Sequence, residues 1–136
     1  MAGRPRVLYV EDDSVIAEMY RLGFDRAGFE VTIAPDSRAG LEALRSRPFD
    51  LVLLDVMLPG MDGIALLSEI RADPSIRLVP VAILSNAELG RRPHEKARRL
   101  GILGWMTKAK SPPPTVVTAV RRWLKAAELT RTPRGA

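Results

Sequence analysis

The chain has 136 residues, no cysteine and a formal charge of +5, with 46% hydrophobic and 27% charged residues. That composition suits one folded domain and excludes a disordered chain, a disulfide framework and any thiolate nucleophile or metal site. No stretch approaches the roughly 18 consecutive apolar residues of a membrane span, and the apolar run behind the basic N-terminus, Val7 to Val10, is too short for a secretion signal, so a cytoplasmic protein is expected.

In chain order, Arg6-Val7-Leu8-Tyr9-Val10 reads as a short buried strand that runs directly into Glu11-Asp12-Asp13. Asp13 or Ser14 can N-cap a first helix over roughly 15–27, with Val15, Ile16, Met19, Tyr20, Leu22 and Phe24 as its apolar stripe and Gly28 as its stop. Phe29 to Ala34 alternates as a partly exposed second strand. Asp36-Ser37 then caps a second helix, which ends before Pro48.

Leu51-Val52-Leu53-Leu54 is an apolar run that stops at Asp55, and Pro59-Gly60-Met61-Asp62-Gly63 is a dense turn signal ahead of a third helix from Asp62 to about Ala72. A charged carboxylate inside a doubly buried strand is costly, whereas one at its carboxyl end faces the crevice where open α/β sheets bind ligands. Pro80 to Leu84 is the next strand and ends in Ser85-Asn86. A fourth helix is expected over roughly 88–100, weakened at its start by Gly90 and Pro93. Trp105-Met106-Thr107 is a short fifth strand ending at Lys108. Pro112-Pro113-Pro114 opens a last helix with Val116, Val117, Val120, Trp123, Leu124 and Ala127 inward.

Strand followed by helix, five times over with short connections, gives an α/β fold: a parallel sheet covered on both faces, with right-handed crossovers. A domain over 1–129 with a basic tail over 130–136 is expected. Charge divides unevenly: residues 1–90 carry −5 and residues 91–136 carry +10. The basic set Arg91, Arg92, Lys96, Arg98, Arg99, Arg121, Arg122 and Lys125 is either a solvated helix surface or a docking surface for an acidic partner. His94, the single histidine, is read as surface.

The strand ends carry Glu11-Asp12-Asp13, Asp55, Ser85 and Lys108, and in a doubly wound sheet these ends converge on one edge. Converging carboxylates demand a counter-cation, and oxygen-only ligands point to a hard divalent ion such as Mg²⁺. An acid cluster with a divalent ion, a lysine and a hydroxyl suits phosphoryl chemistry in which a carboxylate attacks.

On these residues the chain resembles the receiver domain of two-component response regulators, over roughly residues 6–127. The resemblance implies a flavodoxin-like, doubly wound five-stranded parallel sheet in the order 2-1-3-4-5 with five helices. It implies Asp55 as the acceptor of a phosphoryl group from the phosphohistidine of a sensor kinase or phosphotransfer protein. It makes Asp12 and Asp55 direct Mg²⁺ ligands with the backbone carbonyl of Met57, Glu11 a ligand through water, and Asp13 a helix cap. Ser85 and Lys108 would hold the phosphoryl group, with Asn86 beside it. Trp105 stands where the family usually has a Tyr or Phe that turns with the hydroxyl. Lys108 is followed by Ala109, where the family usually has a cis proline; a cis bond before a non-proline residue costs about 2.5–4 kcal/mol, which weighs against cis, and the sequence leaves cis or trans open.

The implied function is a stand-alone phosphorylation switch, monomeric or weakly dimeric and not an enzyme, whose output face is the fourth helix, fifth strand and fifth helix. Two other readings compete. A metal-dependent phosphatase or hydrolase lacks a second acid/base near Asp55, since Met57 stands two residues on. A nucleic-acid binder would rest on the basic 91–136 region alone, with little aromatic interleaving. Dinucleotide binding is disfavoured because the first strand–helix turn is acidic rather than glycine-rich.

Overall fold

The computed structural model describes residues 3–131, the last three by backbone alone. Its elements are β1 (Arg6–Val10), α1 (Ser14–Arg26), β2 (Glu30–Ala34), α2 (Ser37–Ser46), β3 (Leu51–Leu54), α3 (Gly63–Ala72), β4 (Val81–Leu84), α4 (Arg91–Leu100), β5 (Trp105–Met106) and α5 (Pro113–Arg131). The strands form one parallel sheet in the order β2-β1-β3-β4-β5, as expected.

The central strands are buried along their whole length because alternate side chains feed two separate cores. Leu8, Val10, Val52, Leu54, Val81 and Ile83 face a core completed by residues of α2 and α3, among them Leu44, Leu66, Leu67 and Ile70. Val7, Tyr9, Leu51, Leu53, Ala82 and Leu84 face the other, completed from α1 and α5. This two-sided burial is why β3 and β4 read as continuous apolar runs.

Register brings the strand ends together. Val10 pairs with both Ala34 and Leu54, and Leu54 with Ile83. The ladder then runs one residue past the strands: the Glu11 amide donates to the Ala34 carbonyl (2.9 Å), Asp55 to Val10 (3.1 Å) and Ser85 to Met106 (3.0 Å). Glu11, Asp55 and Ser85 therefore leave the sheet with their backbones already fixed.

Three helices are capped by aspartates, two of them expected as caps and Asp62 expected only as the start of its helix. Asp13, not Ser14, caps α1 by accepting from the Val15 and Ile16 amides; Asp36 caps α2 and Asp62 caps α3. Four expectations need correction. The inward stripe of α1 is Ala17, Tyr20 and Phe24, with Ile16 partly buried, while Val15 (78% exposed), Met19 and Leu22 face outward. The helix holds more apolar residues than one face can bury, and only contact with β1 and α5 decides which turn in.

Helix α4 starts at Arg91 rather than near 88. Gly90 adopts φ +81°, which ends the preceding extended stretch, and Pro93 sits in the first turn where its missing N–H costs nothing. Chain leaving β5 forms a 3₁₀ turn over Lys108–Lys110 in which Lys108-Ala109 is trans, as is every described peptide. His94 is not simple surface, because its ring stacks on Trp105 with centroids 3.6 Å apart and planes 20° from parallel. The tail expected over 130–136 begins inside α5, which runs to Arg131; the remainder lies outside the described residues.

Close packing at the turn after β3 generates a prediction. A Cβ at Gly63 would lie 2.2 Å from the Asp55 carbonyl oxygen and 2.7 Å from the Val56 Cα, so only glycine lets α3 start there. Gly63→Ala should lower the free energy of unfolding by about 1–3 kcal/mol. Urea denaturation checks this, with Gly3→Ala, where a Cβ meets nothing within 4 Å, as the neutral control.

Candidate functional site

Asp55 lies at the carboxyl end of β3, buried, with every carboxylate oxygen engaged. Its Oδ1 accepts from the Ser85 hydroxyl (2.6 Å) and from the Met57 amide (3.1 Å), and its Oδ2 accepts from the Lys108 ammonium (2.7 Å). Lys108 also pairs closely with Glu11 Oε1, so one ammonium bridges the ends of β1 and β3. Burial alone would lower the pKa of Lys108. The hydrogen bonds and charges of Asp55 and Glu11 outweigh that and hold it above the ordinary lysine value, so it is charged at neutral pH.

Glu11 is equally constrained. The Tyr9 hydroxyl donates to its Oε1 (2.9 Å) and the Asp13 amide to its Oε2 (3.1 Å). Burial, then the Glu11 charge and the hydrogen bond to it, push the Tyr9 hydroxyl far above the usual phenol range, which keeps it a donor. Asp12, exposed beside them, completes a cluster: Glu11, Asp12 and Asp55 each offer a carboxylate oxygen, all within 4.8 Å of one another. Three carboxylates against one ammonium leave a formal balance of −2, the charge of one divalent cation. An all-oxygen donor set of this kind fits Mg²⁺ or a similar hard ion.

The other sequence-predicted residues fall around this centre in different ways. Ser85 is in direct contact with Asp55, and its Oγ also accepts from the Ala87 amide (3.2 Å). The Asn86 side chain does not bond Asp55; its Oδ1 accepts from the Ala109 amide (2.8 Å), tying the loop after β4 to the 3₁₀ turn that carries Lys108. The Met57 side chain is exposed while its amide is fixed to Asp55. A groove lined by Met57, Ser85, Asn86, Ala87 and Lys108 opens onto Asp55 from solvent. Trp105 is partly buried on the α2–α4 side of the sheet, stacked on His94 and away from the carboxylates.

Two tyrosines escaped sequence reasoning as site residues. Tyr9 was legible in principle, since a lone hydroxyl in an aliphatic strand two residues before Glu11 shares its face of the strand. Tyr20 could be read only as core. Its hydroxyl donates to the Ser111 carbonyl (2.6 Å) and anchors the loop behind Lys108, a contact 91 residues away in the chain.

The chain is similar to known proteins over most of its length. The family model for the response regulator receiver domain matches residues 7–121. The transcriptional regulatory protein CseB of Streptomyces avermitilis is 49% identical over 85 residues, which is 62% of this chain and 35% of that protein. The transcriptional activator protein PfeR of Pseudomonas aeruginosa is 48% identical over 81 residues, 60% of this chain and 26% of that one. This chain's match thus spans about a third or less of these longer relatives. Among solved structures, the chemotaxis response regulator CheY4 of Vibrio cholerae superposes with a TM-score of 0.78 at 27% identity, covering 88% of this chain and 98% of that one.

The raised pKa values of Lys108 and Tyr9 set an alkaline limit. Both groups keep their protons in the folded state beyond the pH at which the unfolded chain releases them, near 10. Their contributions are therefore complete below about pH 10 and are lost as pH rises through the folded values. Urea denaturation between pH 8 and 11 should show the unfolding free energy falling above about pH 10, with a shallower fall in Lys108→Met and in Tyr9→Phe.

Proposed function

The chain belongs to the response regulator receiver domain family, and on that premise we propose that Asp55 is its phosphoacceptor and that phosphorylation there controls a protein-binding face. The observation that carries this reading is the Asp55 carboxylate itself, fixed between a hydroxyl and an ammonium at the open end of the sheet, with two more carboxylates beside it. One Asp55 oxygen attacks the phosphorus of a phosphoimidazole on a sensor histidine kinase or phosphotransfer protein. The new P–O bond forms as the P–N bond breaks, and the imidazole nitrogen leaves with the electron pair. Asp12 and Asp55, with the Met57 carbonyl and with Glu11 through water, would hold a Mg²⁺ ion, whose charge would neutralise the phosphoryl oxygens.

After transfer Asp55 is an acyl phosphate rather than a carboxylate, and its charged phosphoryl oxygens become the partners of the Ser85 hydroxyl and the Lys108 ammonium. Ser85 is bonded to the Ala87 amide, and Asn86 to the Ala109 amide, so a shift of either donor reaches the loops that flank α4 and β5. Trp105, the first residue of β5, joins in that shift. The face formed by α4, β5 and α5 is the element that two states of this network bias. Met57 offers no proton to give or take beside Asp55, which favours a phosphoacceptor over a turnover hydrolase. CseB and PfeR are named for transcriptional regulation, but the shared segment is the receiver part, and DNA binding is not carried over to this chain.

Incubation with acetyl phosphate and Mg²⁺ followed by intact-mass measurement tests the proposal. Wild type should gain one phosphoryl group, Asp55→Asn none, and chelation of the metal should prevent labelling. Asp12→Asn should slow labelling about tenfold or more, as expected when metal-borne charge stabilisation weakens. Equal labelling of Asp55→Asn and wild type would overturn the assignment.

A further inference from the structure

The N-terminal half of helix α4 is built against its own stability, whereas Arg98 and Arg99 stand in the last turn, where the helix dipole favours cations. Five of its ten residues are basic, Arg91, Arg92, Lys96, Arg98 and Arg99, and all five are exposed. Arg91 and Arg92 stand in the first turn, where the helix dipole disfavours cations. Arg92 and Lys96 are four apart, a like-charge pair that weakens a helix. Gly90 gives no side-chain cap, and Ala97 is the one fully buried residue of the helix. By contrast α1, α2 and α3 are each capped by an aspartate.

Pairing elsewhere is mixed. Arg4, Arg6, Arg21, Arg38 and Arg45 each have a carboxylate partner, whereas Arg26, Arg47, Arg77, Arg121 and Arg122 have none among the described residues. What sets α4 apart is five such cations on one ten-residue helix. None of the five α4 cations has one among the described residues; the acidic residue on the helix, Glu95, pairs with none of them. A local arrangement that opposes folding and finds no compensation inside the chain is the mark of a surface selected for something outside it.

We infer that the outer face of α4 is a docking site for an acidic segment of a partner protein. This rests on the receiver reading above, since α4 belongs to the face proposed to respond to Asp55, and it specifies the chemistry of the partner. A second copy does not fit: a two-fold contact sets a patch against itself, and α4 on α4 would oppose five cations to five. An acidic peptide places carboxylates where the helix lacks them. It also relieves the like-charge pairs along α4 and the cations at its N-terminus.

The test measures anisotropy of fluorescently labelled poly-L-glutamate with the full chain across a salt series, and duplex DNA of mixed sequence as a second probe. Binding of polyglutamate should weaken steadily with salt. Arg98→Glu/Arg99→Glu should lose about tenfold or more in affinity, Arg98→Gln/Arg99→Gln less, and the control Arg26→Glu/Arg77→Glu, of the same net charge as the first, clearly less than either. Equal losses in the control and the α4 variants would reduce the effect to net charge and overturn the inference. So would absence of salt-sensitive polyglutamate binding, or tighter binding of DNA than of polyglutamate with the same dependence on α4. Acetyl phosphate labelling of the same samples keeps the two readings apart: labelled α4 variants that fail to bind polyglutamate support both, and a chain that binds polyglutamate but cannot be labelled fails only the phosphoacceptor.

Discussion

One ammonium holds the functional end of this molecule together. Lys108 reaches from the turn after β5 to Asp55 at the end of β3 and Glu11 at the end of β1, strands that would otherwise present converging, mutually repelling carboxylates. Partial burial makes that attraction stronger than it would be in water and makes loss of either partner more costly. The sheet fixes the backbones and Lys108 offsets the charge. Everything that distinguishes this edge of the sheet from the opposite one depends on that cation staying protonated and in place.

Support for the cation comes from residues that touch no carboxylate. Tyr20 holds the loop at Ser111, and Asn86 holds the amide of Ala109, so the 3₁₀ turn bearing Lys108 is tied to α1 on one side and to the β4–α4 loop on the other. Arg71 plays a comparable role away from the site. Its guanidinium donates to the carbonyls of Leu100 and Gly101 at the end of α4 and to those of Arg77 and Val79 before β4. The C-terminal end of α4 is thus anchored by a cation acting on backbone dipoles, while its N-terminal end has no side-chain cap.

Much of this architecture was legible in the residues. Doubly buried strands announce themselves as apolar runs, the caps Asp13, Asp36 and Asp62 are local signals, and Asp55 stood out as a carboxylate where such a run stops. What the chain withheld was contact. Val15, Met19 and Leu22 are as apolar as their neighbours on α1, and no periodicity says which subset meets β1. His94 and Trp105 lie on different elements, so their stacking follows from how α4 settles against β5. Asn86 sits at the expected strand end, but its side chain serves the neighbouring loop by accepting from the Ala109 amide.

The brevity of β5 has a consequence for how the protein behaves in a crowded solution. An edge strand exposes unpaired backbone donors and acceptors, and a long flat one invites a strand from another molecule to join it. Here that edge is two residues long, ends in a 3₁₀ turn and is followed by Lys108 and Lys110. A strand arriving from another copy would find too few hydrogen bonds to hold it and a cationic neighbourhood around the gap. The same truncation that lets the chain turn Lys108 back toward Asp55 therefore guards the β5 edge of the sheet, though not the five-residue β2 edge opposite, against growing sideways into an aggregate.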